Sequence, residues 1–249
     1  MSNASDGLAV CVAGMHRSGT SMVARILSEC GVYLGESDEL LPPAKDNVAG
    51  HFEHQEFVQL NDDVLATLGG AWDVVPPRYA IWRRRRLEPF RARAASLVER
   101  MRPHAPWGWK DPRTSLTLPF WLDVVPDLRL VVCVRDVVAV AHSLLVRDHS
   151  SELFGMRLWA AYNRRVLAAS PRGRTLVTRY ESYFDDVRAE IVRLVAFLGL
   201  EADRDTIARA AETVERSLRH HRVDYDPAGL PRGVARCRRE VLRRAAAET

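Results

Sequence analysis

Between Gly14 and Ser21 the chain reads GMHRSGTS, two glycines, three hydroxyl side chains and an arginine in a stretch suited to holding an anion. Gly14 and Gly19 stand at the spacing of the phosphate-binding pattern G-x-x-x-x-G-K-[ST], and Ser21 falls where that pattern places its Mg²⁺-holding hydroxyl. Thr20 replaces the lysine, and the cation has moved into the loop as Arg17. In such a turn, backbone N–H groups and the positive end of the following helix dipole converge on an anion with or without the lysine. The loop should therefore still bind phosphate. Mg²⁺-dependent phosphoryl transfer, by contrast, loses the cation that normally reaches the terminal phosphates.

Three further clusters carry usable chemistry. The run GHFEHQE (50–56) crowds His51, Glu53, His54 and Glu56 together, and a carboxylate or imidazole there can take a proton from a hydroxyl. Capping of the next helix is the other use open to Glu53 or Glu56. In GWKDPR, Lys110 and Asp111 close an apolar run; Asp111 can orient Lys110 or Arg113, or belong with Arg113 to a buried ion-pair scaffold. Arg135 precedes Asp136, a natural helix cap, and Ser143 lies seven positions after Asp136, two turns on and on the same face. An arginine beside a hydroxyl suits a phosphomonoester.

The elements that must position these residues are legible as apolar runs at 8–13, 107–109, 128–134 and 174–178, three of them rich in β-branched residues and each read as a strand. Apolar residues recurring every three or four positions predict helices at 21–29, 56–68, 87–101, 137–147, 153–168 and 187–197. The segments 42–50 and 69–77 read as loops. Strand and helix alternate, and the unbroken hydrophobicity of 130–134 implies a strand covered on both faces. The expected fold is α/β, a three-layer P-loop-like arrangement with a central, mostly parallel sheet of four or five strands flanked by helices. In such sheets ligands collect beyond the carboxyl ends of the strands. The 14–21 loop, Lys110–Arg113, Arg135–Asp136 and Tyr180–Glu181 each follow a strand, so they should meet on one edge.

With 249 residues and 47% hydrophobic content, a single domain over 1–249 is expected, with 1–7 outside the core and 201–249 as a helical C-terminal extension. No run reaches the ~20 apolar residues of a membrane span, and the N-terminal MSNASDG lacks the parts of a secretory leader. A cytoplasmic protein is the expectation. Cys11, Cys30, Cys133 and Cys237 show no metal or redox spacing and read as buried thiols. The net charge of +4 fits an anion-binding enzyme; a nucleic-acid partner would rest on charge alone and is not expected. The arginines at 83–86 and from Arg232 to Arg244 read as solvated faces, those at 83–86 also as a device for steering an anionic acceptor. Trp72, Tyr79, Trp82 and Phe154 belong either to an acceptor pocket or to the core. Nothing marks an oligomeric state.

Taken in order, the motifs resemble those of the sulfotransferases that use 3′-phosphoadenosine 5′-phosphosulfate (PAPS), over most of 8–200. That family's loop pairs Lys or Arg with S-G-T-[ST], as Arg17-Ser18-Gly19-Thr20-Ser21 does here. The resemblance implies that Arg17, Ser18, Gly19, Thr20 and Ser21 grip the 5′-phosphate and sulfonate with no metal required. It implies further that Arg135 and Ser143 hold the 3′-phosphate, that Tyr180 lies near the cofactor, and that Lys110 reaches the bridging oxygen or the sulfonate. The segment G-[HY]-F-E-x-x-E-F is similar to that of bacterial sulfotransferases and puts Glu53 first, His51 second, as the base at the acceptor. The implied reaction is metal-independent in-line transfer of the sulfuryl group from PAPS to a hydroxyl of a small molecule, lipid or saccharide, leaving adenosine 3′,5′-bisphosphate. One departure is the family's late R-x-G-x-x-G-x-x-[KR] segment, approached only by Gly229 to Gly233, where Arg232 or Arg236 offers a cation and an ordinary basic loop is the other reading. The alternative is a P-loop nucleotide or small-molecule kinase. Against it stand the missing loop lysine and the want of an aspartate for Mg²⁺, since Asp136 follows an arginine and reads as a cap.

Overall fold

The computed structural model describes residues 7–42, 50–77, 85–214 and 229–247. Tyr79, Trp82, Arg83 and Arg84 lie outside the described residues, as do 43–49 of the first anticipated loop. Four strands, β1 (Ala9–Gly14), β2 (Trp107–Lys110), β3 (Arg129–Val134) and β4 (Thr175–Arg179), pair in the order β2-β1-β3-β4, all parallel. Val12 lies opposite both Lys110 and Val131, and Val134 lies opposite Arg179, so the strands end nearly level. This register brings the segments after all four strands to one edge.

Alternation along the strands divides the core. Ala9, Cys11 and Ala13 face a layer built from α2 (Gln55–Thr67), α3 (Glu88–Met101), α4 (Thr114–Val124), α5 (Val137–Asp148), α6 (Glu152–Ala169) and α10 (Arg232–Ala247). Val10 and Val12 face α1 (Thr20–Glu29), α8 (Val187–Leu198) and α9 (Arg204–Glu212); the short α7 (Ser182–Asp185) follows β4. Under the end of β2, Phe57 stacks on Trp109 at 4.7 Å between ring centroids, with Trp107 and Trp121 beside them. Truncating a buried aromatic in such a cluster typically costs about 3–5 kcal/mol, so this floor is a rigid base for the side chains at its edge.

The six anticipated helices form with boundary shifts of a residue or so. α4 was not anticipated, because its sequence TSLTLPFWLDV is buried over most of its circumference and carries Pro119 inside it, so no apolar stripe stands out. α10 shows the opposite pattern. Val234, Cys237, Val241 and Ala245 are buried, while Arg232, Arg236, Arg239 and Arg243 face outward, the solvated face anticipated for them. All four cysteines are free and buried. No helix among the described residues is long and apolar enough to cross a membrane.

Candidate active site

At the end of β1 the chain turns through three left-handed residues, Gly14 (φ 142°), Arg17 (φ 68°) and Gly19 (φ 87°). A Cβ on Gly14 would sit 2.3 Å from the Cys133 carbonyl oxygen, and one on Gly19 would sit 2.3 Å from the Tyr180 ring, so both glycines are required by close approach. The loop closes with a hydrogen bond from Ser18 N to Met15 O at 3.1 Å. α2, α5, α6, α8 and α9 are each capped by a side chain, whereas α1, whose N-cap is Gly19, starts with none, as do α3 and α4. No described side chain caps the first turn of α1. Ser18 Oγ, buried at the same place, has no partner among the described residues.

Two arginines tie this loop to its neighbours. Arg17 Nε donates to Ser143 Oγ on α5 at 2.9 Å, and Arg135 Nη1 donates to the Arg17 carbonyl at 3.1 Å. Arg135 also lies over the Tyr180 ring at 4.5 Å, and its own carbonyl accepts from Trp159 Nε1 at 3.0 Å. Asp136 caps α5, accepting from Val138 N and Ala139 N, and its N–H donates to Glu181. Arg17, Ser143, Arg135 and Tyr180, 163 positions apart at the extremes of the sequence, thus form one cluster around the loop. α10 reaches the same turn through Arg238, whose Nε is 3.8 Å from Asp136 Oδ2. Arg232 and Arg236, the two cations singled out by the sequence, are exposed.

The other half of the site lies at the end of β2. Gly50 and Phe52 are both left-handed, and the turn they make drives Glu53 inward until it is 7% exposed. Lys110 Nζ donates to Glu53 Oε1 at 2.6 Å, while Arg113 Nη1 stands 3.8 Å from Glu53 Oε2, beyond hydrogen-bond range. Asp111 is fully buried and accepts from Arg113 N, Arg113 Nη1 and Asn61 Nδ2. Burial pushes its carboxyl up to about 6, against the pull of Arg113 and with the Glu53 charge adding to the rise. Asp111 therefore serves Arg113 rather than Lys110.

The capping question is answered by neither glutamate. His54 caps α2 through Nδ1, and Glu56 pairs with Arg100. His51 joins the loop through its carbonyl, which accepts from Ser21 Oγ at 3.3 Å. Trp72 packs beside the loop, its ring 5.0 Å from His16 and 5.3 Å from the Arg147 guanidinium, whereas Phe154 is 40% exposed at the start of α6. His16 Nε2 is covered and unpartnered among the described residues; burial, with Arg113, Arg147, Lys110 and Arg17 adding to it, holds the imidazole well below its usual range. Sequence reasoning did not single out His16, Asn61 or Arg238. No cluster of three or more potential metal ligands occurs among the described residues.

A model of the sulfotransferase family matches residues 9–204. Among solved structures, the chain is similar to the sulfotransferase domain of the Synechococcus PCC 7002 olefin synthase, at 16% identity over 94% of each chain with a TM-score of 0.59. It is similar also to the sulfotransferase domain from the curacin biosynthetic pathway, at 13% identity over 95% of this chain and 97% of that one with a TM-score of 0.53. A sulfotransferase from Mycobacterium avium aligns at 16% identity over 88% of this chain and 69% of that one, with a TM-score of 0.51. At these identities the likeness is one of fold. No curated protein matches the sequence.

Proposed function

Because the chain belongs to the sulfotransferase family, we propose that it transfers the sulfuryl group of PAPS to an acceptor hydroxyl. The observation that carries this reading is the cradle at the end of β1: a helix start without a side-chain cap, a buried Ser18 hydroxyl with no partner among the described residues, and glycines where any Cβ would fill the space. Those residues fit a phosphosulfate. The Arg135 and Ser143 side chains, joined to the loop through Arg17, fit a second phosphate at its side. That second phosphate would separate PAPS from ATP.

When bound, PAPS supplies the activated sulfuryl group and leaves as adenosine 3′,5′-bisphosphate. Arg17, the Ser18 hydroxyl and the amides of Gly19 to Ser21 would neutralise the charge that grows on the departing 5′-phosphate, each preorganised donor being worth about 3–4 kcal/mol in the transition state. Lys110 holds Glu53 by Oε1, and its remaining protons would be donors to the sulfonate. Glu53 Oε2, which no described hydrogen bond occupies, accepts the acceptor's proton as the new O–S bond forms and the S–O bond to phosphate breaks. His51 is the second candidate for that base. Fixed cations and N–H donors do this work without a metal. The acceptor is a hydroxyl of a small molecule, lipid or saccharide, and the setting cytoplasmic, in keeping with four reduced, buried thiols.

The test is to incubate the protein with PAPS and a chelator against a panel of hydroxyl compounds from these three classes. The expected result is release of adenosine 3′,5′-bisphosphate matched by gain of one SO₃ in an acceptor. Turnover that requires Mg²⁺ and ATP would contradict it.

A further inference from the structure

Beneath Glu53 runs a buried polar chain that takes no direct part in sulfuryl transfer. Asn61 is fully buried, and its carbonyl oxygen accepts from Thr117 Oγ1 at 2.5 Å and Trp121 Nε1 at 2.8 Å. An indole nitrogen can only donate, so the amide orientation is fixed, with Nδ2 toward Asp111 Oδ2 at 2.7 Å. Asp111 Oδ1 accepts from the backbone N–H of Arg113 at 2.9 Å and from its Nη1 at 3.1 Å. The Arg113 guanidinium then meets Asp62 through Nε at 2.7 Å, and the same Nη1 faces Glu53 Oε2 at 3.8 Å.

We infer that Asn61 and Asp111 are positioning residues that hold the Arg113 guanidinium back from Glu53, keeping Oε2 open to the acceptor hydroxyl. The inference rests on Glu53 being the base. Nη1 lies between two carboxylates, nearer Asp111 than Glu53 by 0.7 Å. A charged acceptor draws a guanidinium more strongly than a neutral one. Protonation of Asp111 therefore removes the stronger pull, and a shift of under an ångström brings Nη1 into hydrogen-bond range of Oε2. Glu53 then has Lys110 on one oxygen and the Arg113 guanidinium on the other, and a cation bonded to Oε2 makes that oxygen a weaker base toward the acceptor hydroxyl.

The groups around Asp111 leave it as the switch. Lys110 and Arg113 flank it in sequence, Glu53 faces it from the preceding loop, Asp62 from α2, Cys11 from β1, Tyr162 from α6, and His16 lies across Arg113. Burial pushes Cys11 and Tyr162 up and His16 down, favouring the neutral form of each between pH 5 and 8. Asp111, raised to about 6, changes charge inside that window. A raised carboxyl is ionised above pH 6 and neutral below it, so activity should fall as pH drops through about 6.

The test is kcat from pH 5 to 8.5 at saturating PAPS, read as release of adenosine 3′,5′-bisphosphate with the panel compound that turns over fastest. Wild type should show an acid limb near pH 6. Asp111→Asn should lower kcat at pH 8 at least tenfold, toward the wild-type value at pH 5, and abolish that limb, with KM for PAPS changed less than about twofold. Asn61→Ser replaces the amide that reaches Asp111 with a shorter side chain; loss of that hydrogen bond, which favours the charged carboxylate, should move the limb to higher pH. A structural role alone would lower activity evenly across pH. If Asp111→Asn fails to fold, Asn61→Ser decides: a limb moved upward supports the inference, a limb unmoved overturns it. An absent limb in wild type, or an unchanged one in Asp111→Asn, overturns it as well. A wild type that releases no bisphosphate from PAPS at any pH strikes the sulfuryl-transfer reading itself, and the inference with it.

Discussion

At the end of β1, donors wait: α1 starts without a side-chain cap and the buried Ser18 hydroxyl has no described partner. One strand away, at the end of β2, charges are already answered: Lys110 by Glu53, Arg113 by Asp111 and Asp62, Asp111 by Asn61. An unmet buried polar group costs about 1–3 kcal/mol, which a ligand's anion recovers on binding. The first region is thus built to gain from a ligand. The second is held in shape by its own pairs with Glu53 Oε2 left open, the condition the proposed function needs for fixing one oxygen within reach of a reacting hydroxyl. In the proposed function, binding and chemistry are thus divided between neighbouring strands.

Substitutions can break that division selectively. Glu53→Gln should lower kcat by about 10²–10⁴ while leaving the affinity for adenosine 3′,5′-bisphosphate nearly unchanged, measured by steady-state kinetics beside calorimetry. Near-wild-type turnover would move the base to His51. Arg135→Ala should do the reverse, weakening the bisphosphate by roughly 10–100-fold, since it removes a charge-assisted phosphate contact worth about 1.5–3 kcal/mol. Gly19→Ala forces a Cβ into the Tyr180 ring at a positive φ and should cost about 1–3 kcal/mol in chemical denaturation, with bisphosphate affinity falling alongside. Pairing it with Tyr180→Ala should recover the steric part only.

The smallest effect concerns His16. Its imidazole is held well below the unfolded value of about 6.5, so the unfolded chain takes up a proton as pH falls through 6.5 while the folded chain does not. Stability supplied by the neutral ring is whole above that pH and lost progressively below it. Thermal unfolding from pH 7.5 to 5 should show this loss, and His16→Gln should flatten it.

The β1 half of the proposed site is legible in the sequence as local pattern: two glycines at a fixed spacing, a cation between them, and Asp136 opening a helix after a strand. The level ends of parallel strands then carried Arg135 and Tyr180 to the loop, as expected of an open α/β sheet. The chemical half was only partly legible. Glu53 and Lys110 stood out by type, but Asn61 meets Asp111 across 50 positions and its other partners across 53 to 60, and no local pattern marks such a contact. α4, which supplies three of those partners, is too uniformly apolar to show a helical period. On α10, Arg238 follows the buried Cys237 and so turns inward to Asp136, while Arg232 and Arg236 lie on the outward face.

The central claim, a cradle that selects a nucleotide with phosphates at both 3′ and 5′, is tested most directly by thermal unfolding with adenosine 3′,5′-bisphosphate against ATP–Mg²⁺. At ~100 times Kd a ligand adds about 2.7 kcal/mol, which raises Tm by roughly 5–11 °C in a chain of this length. The account predicts that rise with the bisphosphate, little or none with ATP–Mg²⁺, and its loss in Arg135→Ala. A rise with ATP–Mg²⁺ alone would contradict it.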